Sequence, residues 1–110
     1  KIMNDTLAGL YQVVLERKAN PQEGSYTCYL FEKGLDKILK KCGEECAETI
    51  IAAKNLDNEE LSNEICDLLY HILVLMAERE LPLEQVMAIL EQRRQKIGNL
   101  KQFHQTDHNT

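Results

Sequence analysis

The spacing of apolar residues is the feature that most limits the fold of this chain. Along most of the 110 residues, apolar side chains recur at intervals of three and four, and only two prolines and five glycines interrupt them. This interval matches the turn of an α-helix and not the two-residue repeat of a β-strand. The sequence therefore predicts an all-α fold.

Capping and turn residues divide this pattern into helices. Ser25 and Asp57 are predicted N-caps, Pro82 suits a first helical turn, Gly98 suits a stop, and Gly34 can bend or break a helix. The predicted helices span about residues 4–19, 25–54, 58–79 and 82–97.

Each predicted helix carries an apolar face. The residues expected to point inward are Leu7, Leu10, Tyr11, Val14 and Leu15, then Leu35, Ile38, Leu39, Cys42, Cys46 and Ile50, then Leu61, Ile65, Leu68, Leu69, Ile72 and Leu75, and finally Val86, Ile89 and Leu90. Short connections between such helices predict an antiparallel bundle of four to five helices, a single domain over residues 1–100 with a frayed polar tail over 101–110. A lone chain of this size buries only about 60–70% of its unfolded surface, so we expect a homodimer or larger homo-oligomer.

Charge and hydropathy exclude several classes of partner. With 18 acidic and 13 basic residues, the net charge of −5 gives no attraction to a nucleic-acid backbone. No apolar run reaches the roughly 18 residues needed to cross a bilayer, and no secretory apolar region is present at the start. We therefore expect a cytoplasmic protein with neither a nucleic-acid nor a membrane partner.

The four cysteines are interpreted as reduced and packed. A zinc site built from Cys42, Cys46, Cys66 and His71 is the alternative. These residues fall on apolar helical stripes, where small cysteines commonly pack, so we favour packing.

Four acidic residues interrupt the apolar stripes. Glu45 and Glu48 are three residues apart and so share one face of a helix, and Glu64 and Asp67 repeat this spacing on the next helix. An antiparallel hairpin can bring the two pairs opposite each other. Clustered carboxylates repel one another and lose hydration, so they need protons or cations. Hard oxygen ligands suit Mg²⁺, with Mn²⁺ as a possible substitute.

Candidate phosphate and substrate contacts lie N-terminal to the acids. Lys33, Lys37 and Lys41 recur at helical spacing and can hold phosphate oxygens, or can simply pair with nearby acids on the surface. Ser25, Tyr26 and Thr27 offer hydroxyls and a ring to a substrate; alternatively, Ser25 and Thr27 only cap the helix and Tyr26 packs.

The motifs around these residues resemble a known family. Gly43-Glu44-Glu45-Cys46-Ala47-Glu48, followed by Glu64-Ile65-Cys66-Asp67, resembles the EExxE and ExxD pattern of the MazG-like, all-α nucleoside triphosphate pyrophosphohydrolases. The flanking sequence resembles the phosphoribosyl-ATP pyrophosphohydrolases of histidine biosynthesis from about residue 7 to residue 94, through Ser25-Tyr26-Thr27, Leu30-Phe31-Glu32-Lys33-Gly34, Lys41-Cys42-Gly43-Glu44-Glu45 and Asp67-Leu68-Leu69-Tyr70-His71.

The resemblance implies an activity and a set of roles. The activity is hydrolysis of phosphoribosyl-ATP to phosphoribosyl-AMP and pyrophosphate. It implies Mg²⁺ held by Glu45, Glu48, Glu64 and Asp67. Glu44 and Glu45 are the predicted catalytic residues, and Glu44 is a further ligand, a residue behind the ligands, or the base that orients water. Residues 95–101 lack the Ser-Gly and Glu-Lys segment of many members, and the cyclohydrolase domain often fused to this enzyme does not occur in these 110 residues.

His71 has two interpretations. One turn after Asp67, it can touch substrate phosphate, or it can be a histidine satisfied within the core or an interface, which we favour. Two alternative functions also stay open. One is a housekeeping pyrophosphatase acting on dCTP, dUTP or non-standard nucleotides through the same metal site, and the other is a helical interaction protein without catalysis.

Overall fold

The structure is a computed structural model, which describes the backbone of residues 2–98 and the side chains of residues 6–98. The described part consists of five α-helices: α1 (Ile2–Ala19), α2 (Tyr26–Lys33), α3 (Leu35–Lys54), α4 (Asn58–Glu78) and α5 (Leu83–Ile97). The predicted all-α fold is confirmed. The predicted tail over residues 101–110 lies outside the described residues, and the single-domain boundary near residue 100 stays a prediction.

The helix boundaries follow the capping residues. The backbone N–H of Cys28 donates to Ser25 Oγ at 3.2 Å, and that of Glu60 donates to Asp57 Oδ1 at 3.1 Å. Each interaction satisfies a backbone donor that has no partner inside the helix. Pro82 is the N-cap of α5 and Gly98 its C-cap. The boundary residues named from the sequence thus begin and end the observed helices.

Gly34 divides the second predicted helix into α2 and α3. Its φ of 95° and ψ of −172° are backbone angles that only glycine adopts readily. Its N–H donates to Leu30 O at 3.0 Å, and its carbonyl accepts from Ile38 N–H at 3.2 Å. The break is therefore a sharp corner that keeps both helix ends hydrogen-bonded.

The body of the protein is the α3–α4 hairpin, covered on one side by α1 and α2. Residues 55–57 join α3 to α4, and this short connection makes the two helices antiparallel. The core contains Tyr11, Val14, Leu30, Ile38, Leu73, Val74, Met76, Ala77 and Leu83. Two hydrogen bonds join α1 to the end of α4 and to the connection that follows it: Lys18 Nζ donates to Ala77 O and Tyr11 Oη donates to Leu81 O, both at 2.7 Å.

The prediction of which apolar residues point inward was wrong in part. In α5, Val86 is half-buried but Ile89 and Leu90 are 45% and 49% exposed, because this helix joins the body mainly through Leu83 near its start. Other residues predicted to point inward are also exposed, namely Leu10, Leu39, Cys46, Ile50, Ile65 and Leu69. Helical periodicity identifies an apolar face, but it does not say whether the chain itself covers that face.

Candidate metal and nucleotide site

Three carboxylates converge between α3 and α4. Glu45 and Glu48 lie one turn apart on α3, and Glu64 faces them from α4. One carboxylate oxygen of each lies within 4.8 Å of those of the other two. We call these three residues the acid cluster. The hairpin thus brings together three of the four acids predicted to bind metal.

The acid cluster contains carboxylate oxygens that have lost water without gaining a partner. Glu45 is only 6% exposed, and its Oε1, like Oε1 of Glu64, is buried without a hydrogen bond. Lys41 Nζ lies 3.9 Å from Glu45 Oε2, a distance of weak charge pairing. Leaving a buried ionised oxygen unpaired is strongly unfavourable, so the geometry favours a proton or a cation at this point.

The titration of these acids reflects the same crowding. Loss of hydration, followed by the charges of Glu48 and Asp67, raises the pKa of Glu45. A hydrogen bond shared with Glu60, together with partial burial and the neighbouring Glu48, raises the pKa of Glu64 to about 7. Near neutral pH the cluster therefore does not readily hold all of its negative charges unless a cation compensates them.

The fourth predicted ligand lies at the edge of the cluster. The carboxylate of Asp67 is exposed and is not part of the set within 4.8 Å, although its charge acts on Glu45. Sequence reasoning also missed Glu60, which lies one turn before Glu64 on α4 and is the largest cause of the raised pKa of Glu64. The four-residue spacing of these two acids was the available signal, but it is common on solvated helices.

The residues of the acid cluster fit Mg²⁺. They offer only oxygen donors, which hard divalent cations prefer, and two of these oxygens are buried without partners. The alternative zinc site is not formed, because the one candidate metal group among residues 6–98 contains neither cysteine nor histidine.

The cysteines are free, as predicted, but only some of them pack. Cys42 is half-buried against the core and its thiol donates to His71 O at 3.5 Å. Cys46 and Cys66 are exposed, so the prediction that they pack was wrong for these two.

Lys41 and Glu44 form an ion pair beside the cluster. Lys41 Nζ lies 3.2 Å from a carboxylate oxygen of Glu44, and this hydrogen bond is the main reason why the pKa of Lys41 is raised. Glu44 itself is exposed. The predicted catalytic residue Glu44 therefore lies next to the acid cluster, and Lys41 places a positive charge beside the cluster.

The two remaining predicted lysines lie further from the acids. The ammonium groups of Lys33 and Lys37 each lie 5.8 Å from the ring centroid of Tyr29, a distance typical of cation–π contact. Sequence reasoning had not singled out Tyr29. It follows Tyr26 by three residues, so helical spacing was the signal that could have paired the two rings.

His71 is satisfied within the protein. It is 5% exposed, and its Nδ1 donates to the backbone carbonyl of Asp67 at 2.8 Å. A neutral ring protonated at Nδ1 has an acceptor at Nε2, so the Tyr26 hydroxyl, 3.0 Å away, donates to it. These contacts favour the structural interpretation of His71 over a direct substrate contact.

Ser25 and Thr27 also have structural partners. Ser25 caps α2, and the Thr27 hydroxyl hydrogen-bonds with the Tyr70 hydroxyl across to α4. Of the three predicted residues at this corner, Tyr26 leaves the largest surface open, since it is 45% exposed. Substrate contact by Ser25 and Thr27 stays a prediction.

Comparison with known proteins identifies relatives over most of the chain. Residues 7–94 match the family model of phosphoribosyl-ATP pyrophosphohydrolase. A phosphoribosyl-ATP pyrophosphatase of Clostridium botulinum is 57% identical over 103 residues, which cover 94% of each chain. One of Listeria innocua is 59% identical over 84% of this chain and 88% of its own. The histidine biosynthesis bifunctional protein HisIE of Halalkalibacterium halodurans is 59% identical over 79% of this chain, which corresponds to 41% of its own length.

These relatives extend through the elements that build the acid cluster. The matched range contains α2, α3 and α4 in full, and therefore all of the predicted site residues. None of the helices described in residues 2–98 is both long and apolar enough to span a membrane. On this match and these identities, the chain belongs to the phosphoribosyl-ATP pyrophosphohydrolase family.

Proposed function

We propose that this protein hydrolyses phosphoribosyl-ATP to phosphoribosyl-AMP and pyrophosphate, the pyrophosphohydrolase step of histidine biosynthesis, and that Mg²⁺ supports the reaction. The observation that carries the proposal is the acid cluster, with its buried unpaired oxygens, within a chain of this family. The substrate is a soluble nucleotide, and we expect the enzyme to act in the cytoplasm.

The acid cluster is the proposed metal site. Glu45, Glu48 and Glu64 would hold the ion, and Asp67 would complete the set from the edge of the cluster. When bound, Mg²⁺ neutralises carboxylates and phosphates, polarises the phosphorus under attack and lowers the pKa of a coordinated water. Mn²⁺ offers the same coordination chemistry.

The residues around the cluster would orient the triphosphate. Lys41 is held by Glu44 and lies close enough to the acid cluster to meet a phosphate oxygen. Glu44 can accept a proton from an attacking water, and the ion pair with Lys41 would hold its carboxylate beside the acid cluster for this role. The protein therefore acts mainly by positioning charges around the reacting phosphorus.

Amide substitutions in the acid cluster test the proposal. Glu45→Gln, Glu48→Gln and Glu64→Gln each remove one charged ligand, so Mg²⁺ affinity and Mg²⁺-dependent release of pyrophosphate should fall by at least about tenfold, the scale of one lost charged contact. Glu59→Gln is the matched control, because Glu59 is exposed in the first turn of α4. Undiminished hydrolysis by the three amide variants would rule out this site.

The same assay tests the substrate. Phosphoribosyl-ATP carries a phosphate that ATP, dCTP and dUTP lack, and Lys33 and Lys37 offer charges to it outside the acid cluster. We expect kcat/KM for phosphoribosyl-ATP to exceed those for the other three by at least about a hundredfold, as two lost charged contacts would produce. Equal turnover of dCTP or dUTP would instead identify a housekeeping pyrophosphatase, and no hydrolysis of any of them would favour an interaction protein.

We also propose that the protein is a homodimer or a larger homo-oligomer. The outer faces of α3 and α4 expose the apolar side chains of Leu39, Ile50, Ile65 and Leu69 between 41% and 64%. A second copy of the chain is the simplest cover for a face of this kind, because it offers the same apolar surface in return.

A further inference from the structure

Two tyrosines of α2 form an exposed aromatic pair. The ring centroids of Tyr26 and Tyr29 lie 6.0 Å apart with planes at 25°, and the two residues are 45% and 39% exposed. Both line an open groove of about 920 Å³ that continues past Gly24 towards Arg17. The two rings stack on each other, and the parts of their faces that stay exposed can stack with a further planar group.

This aromatic pair lies next to the acid cluster. The Tyr26 hydroxyl lies 3.0 Å from Nε2 of His71, and Nδ1 of the same ring is hydrogen-bonded to the backbone carbonyl of Asp67, which borders the acid cluster. Tyr29 lies on the other side, beside the ammonium groups of Lys33 and Lys37. The tyrosines therefore link the acid cluster to the outer lysines.

The acidic, basic and aromatic side chains form a row along α3 in which each kind of group has its own place. Lys37, Lys41 and Glu45 follow one another at four-residue intervals, which corresponds to about 6 Å per step along the helix axis. From Glu45 back towards the start of α3, the row therefore begins with a carboxylate and continues with the ammonium group of Lys41. It ends with the ammonium group of Lys37, which lies beside the Tyr29 ring. A metal-bound nucleotide carries complementary groups in the same order: the metal, the phosphates, and a planar base.

Contacts with the buried His71 fix the position of the Tyr26 ring. Its hydroxyl donates to Nε2 of the buried His71, whose ring meets the Tyr26 ring edge-on with centroids 5.8 Å apart. His71 is itself held by the backbone carbonyl of Asp67. This chain of contacts gives one orientation to a ring that would otherwise be free to rotate at the surface.

We propose that Tyr26 and Tyr29 form the surface on which the nucleobase of the substrate stacks, and that His71 is a positioning residue that holds Tyr26 for this contact. The inference rests on the proposed hydrolysis of a nucleotide at the acid cluster. It assigns binding of the base to two side chains outside that cluster, and it gives His71 a role that requires no contact with substrate.

Steady-state kinetics of Tyr29 variants test the stacking surface. Tyr29→Leu removes the ring, so KM for phosphoribosyl-ATP should rise about tenfold or more with a smaller change in kcat, the scale of one lost base–aromatic contact. Tyr29→Phe keeps the ring and should restore most of the lost affinity. Mg²⁺ affinity, measured by calorimetry without nucleotide, should be the same in both variants, because neither touches the acid cluster.

Several results would overturn the inference. They are an unchanged KM in Tyr29→Leu, equal KM values in the Leu and Phe variants, or a lower sedimentation mass in Tyr29→Leu, since the last would show that the ring serves an interface between copies. No hydrolysis by the unaltered protein would overturn the proposed function and this inference together. Normal hydrolysis with an unchanged KM in Tyr29→Leu would overturn this inference alone.

A double-mutant comparison tests the role of His71. His71→Ala should raise KM in the unaltered protein but add nothing in a Tyr26→Phe background, where the hydroxyl that it holds is already absent. Because His71 is buried, His71→Gln is the second variant: its amide oxygen can accept the same hydrogen bond and should restore KM. Equal effects of His71→Ala in both backgrounds, or no rescue by His71→Gln, would show that His71 does not act through Tyr26.

Discussion

At Glu64, three influences act on a single carboxyl group. A hydrogen bond with Glu60, partial burial and the nearby Glu48 together raise the pKa of Glu64 from 4.5 to about 7. In the unfolded chain these influences are absent, so the folded protein binds this proton more tightly than the unfolded chain does. Without a metal, folding stability must therefore fall as the pH rises through this interval.

The metal-free protein is accordingly expected to lose thermal stability between about pH 4.5 and pH 7, because the proton on Glu64 is held only in the folded state over this range. Glu64→Gln cannot titrate, so its melting temperature should fall less over the same range and should exceed that of the unaltered protein at the upper end. Calorimetric scans in the presence of a chelator measure the melting temperatures of both proteins. Parallel curves for the two proteins would contradict the assignment.

At the scale of elements, the corner at Gly34 decides where α2 can lie. A straight continuation of α3 would carry Tyr26 and Tyr29 along the axis of α3 and away from α4. The left-handed backbone at Gly34, with φ of 95°, instead turns α2 back, so that the Thr27 hydroxyl meets Tyr70 and Tyr26 meets His71. The corner is therefore needed to bring the tyrosines of α2 beside the acids of α3 and α4.

Gly34→Ala should lower the free energy of unfolding by about 1–3 kcal/mol, because a Cβ at these backbone angles is strained. The loss would be purely conformational, since no atom beyond Gly34 and its two chain neighbours lies within 4 Å of the added Cβ. Gly9→Ala is the matched control: Gly9 lies within α1 in equally open space, where alanine should stabilise the helix by about 0.5–1 kcal/mol. Urea denaturation measures both, and effects of the same sign would contradict this account.

At the scale of the whole molecule, a single chain buries only part of the apolar surface on its helices. The core is centred where α1, α2, α3 and α4 meet, while the outer faces of α3, α4 and α5 keep apolar side chains in water. Leu69 on α4 is 43% exposed and Leu39 on α3 is 46% exposed. Burial of such surface stabilises association by about 25 cal/mol per Å² before the entropic penalty of association is subtracted.

Sedimentation of the unaltered protein at micromolar concentration should give a mass of at least about twice 12.7 kDa. Leu69→Asp introduces a charge on the exposed face of α4 and should shift the mass towards that of one chain. Leu56→Asp is the control, because Leu56 is 89% exposed in the turn between α3 and α4, and its positive φ of 58° suits aspartate. A monomeric mass for the unaltered protein would show that the proposed oligomer does not form.

The sequence by itself determined where the helices begin and end, and which acidic residues share one face of the same helix. Ser25, Gly34, Asp57 and Gly98 delimit helices through local backbone chemistry, and the three-residue spacing of Glu45 and Glu48 puts both on one face of any helix that contains them. Such relations depend on the geometry of a single helix, so a pattern of residues is sufficient to predict them.

The tertiary structure decided which residues from different helices meet. Only the packing of α4 against α3 brings Glu64 into the acid cluster while leaving Asp67 at its edge. The same packing leaves Cys46 exposed, and α5, attached mainly at its start, leaves Ile89 exposed. Distances between helices depend on how side chains from distant parts of the chain interlock, and the spacing of residues along one helix carries no information about that interlocking.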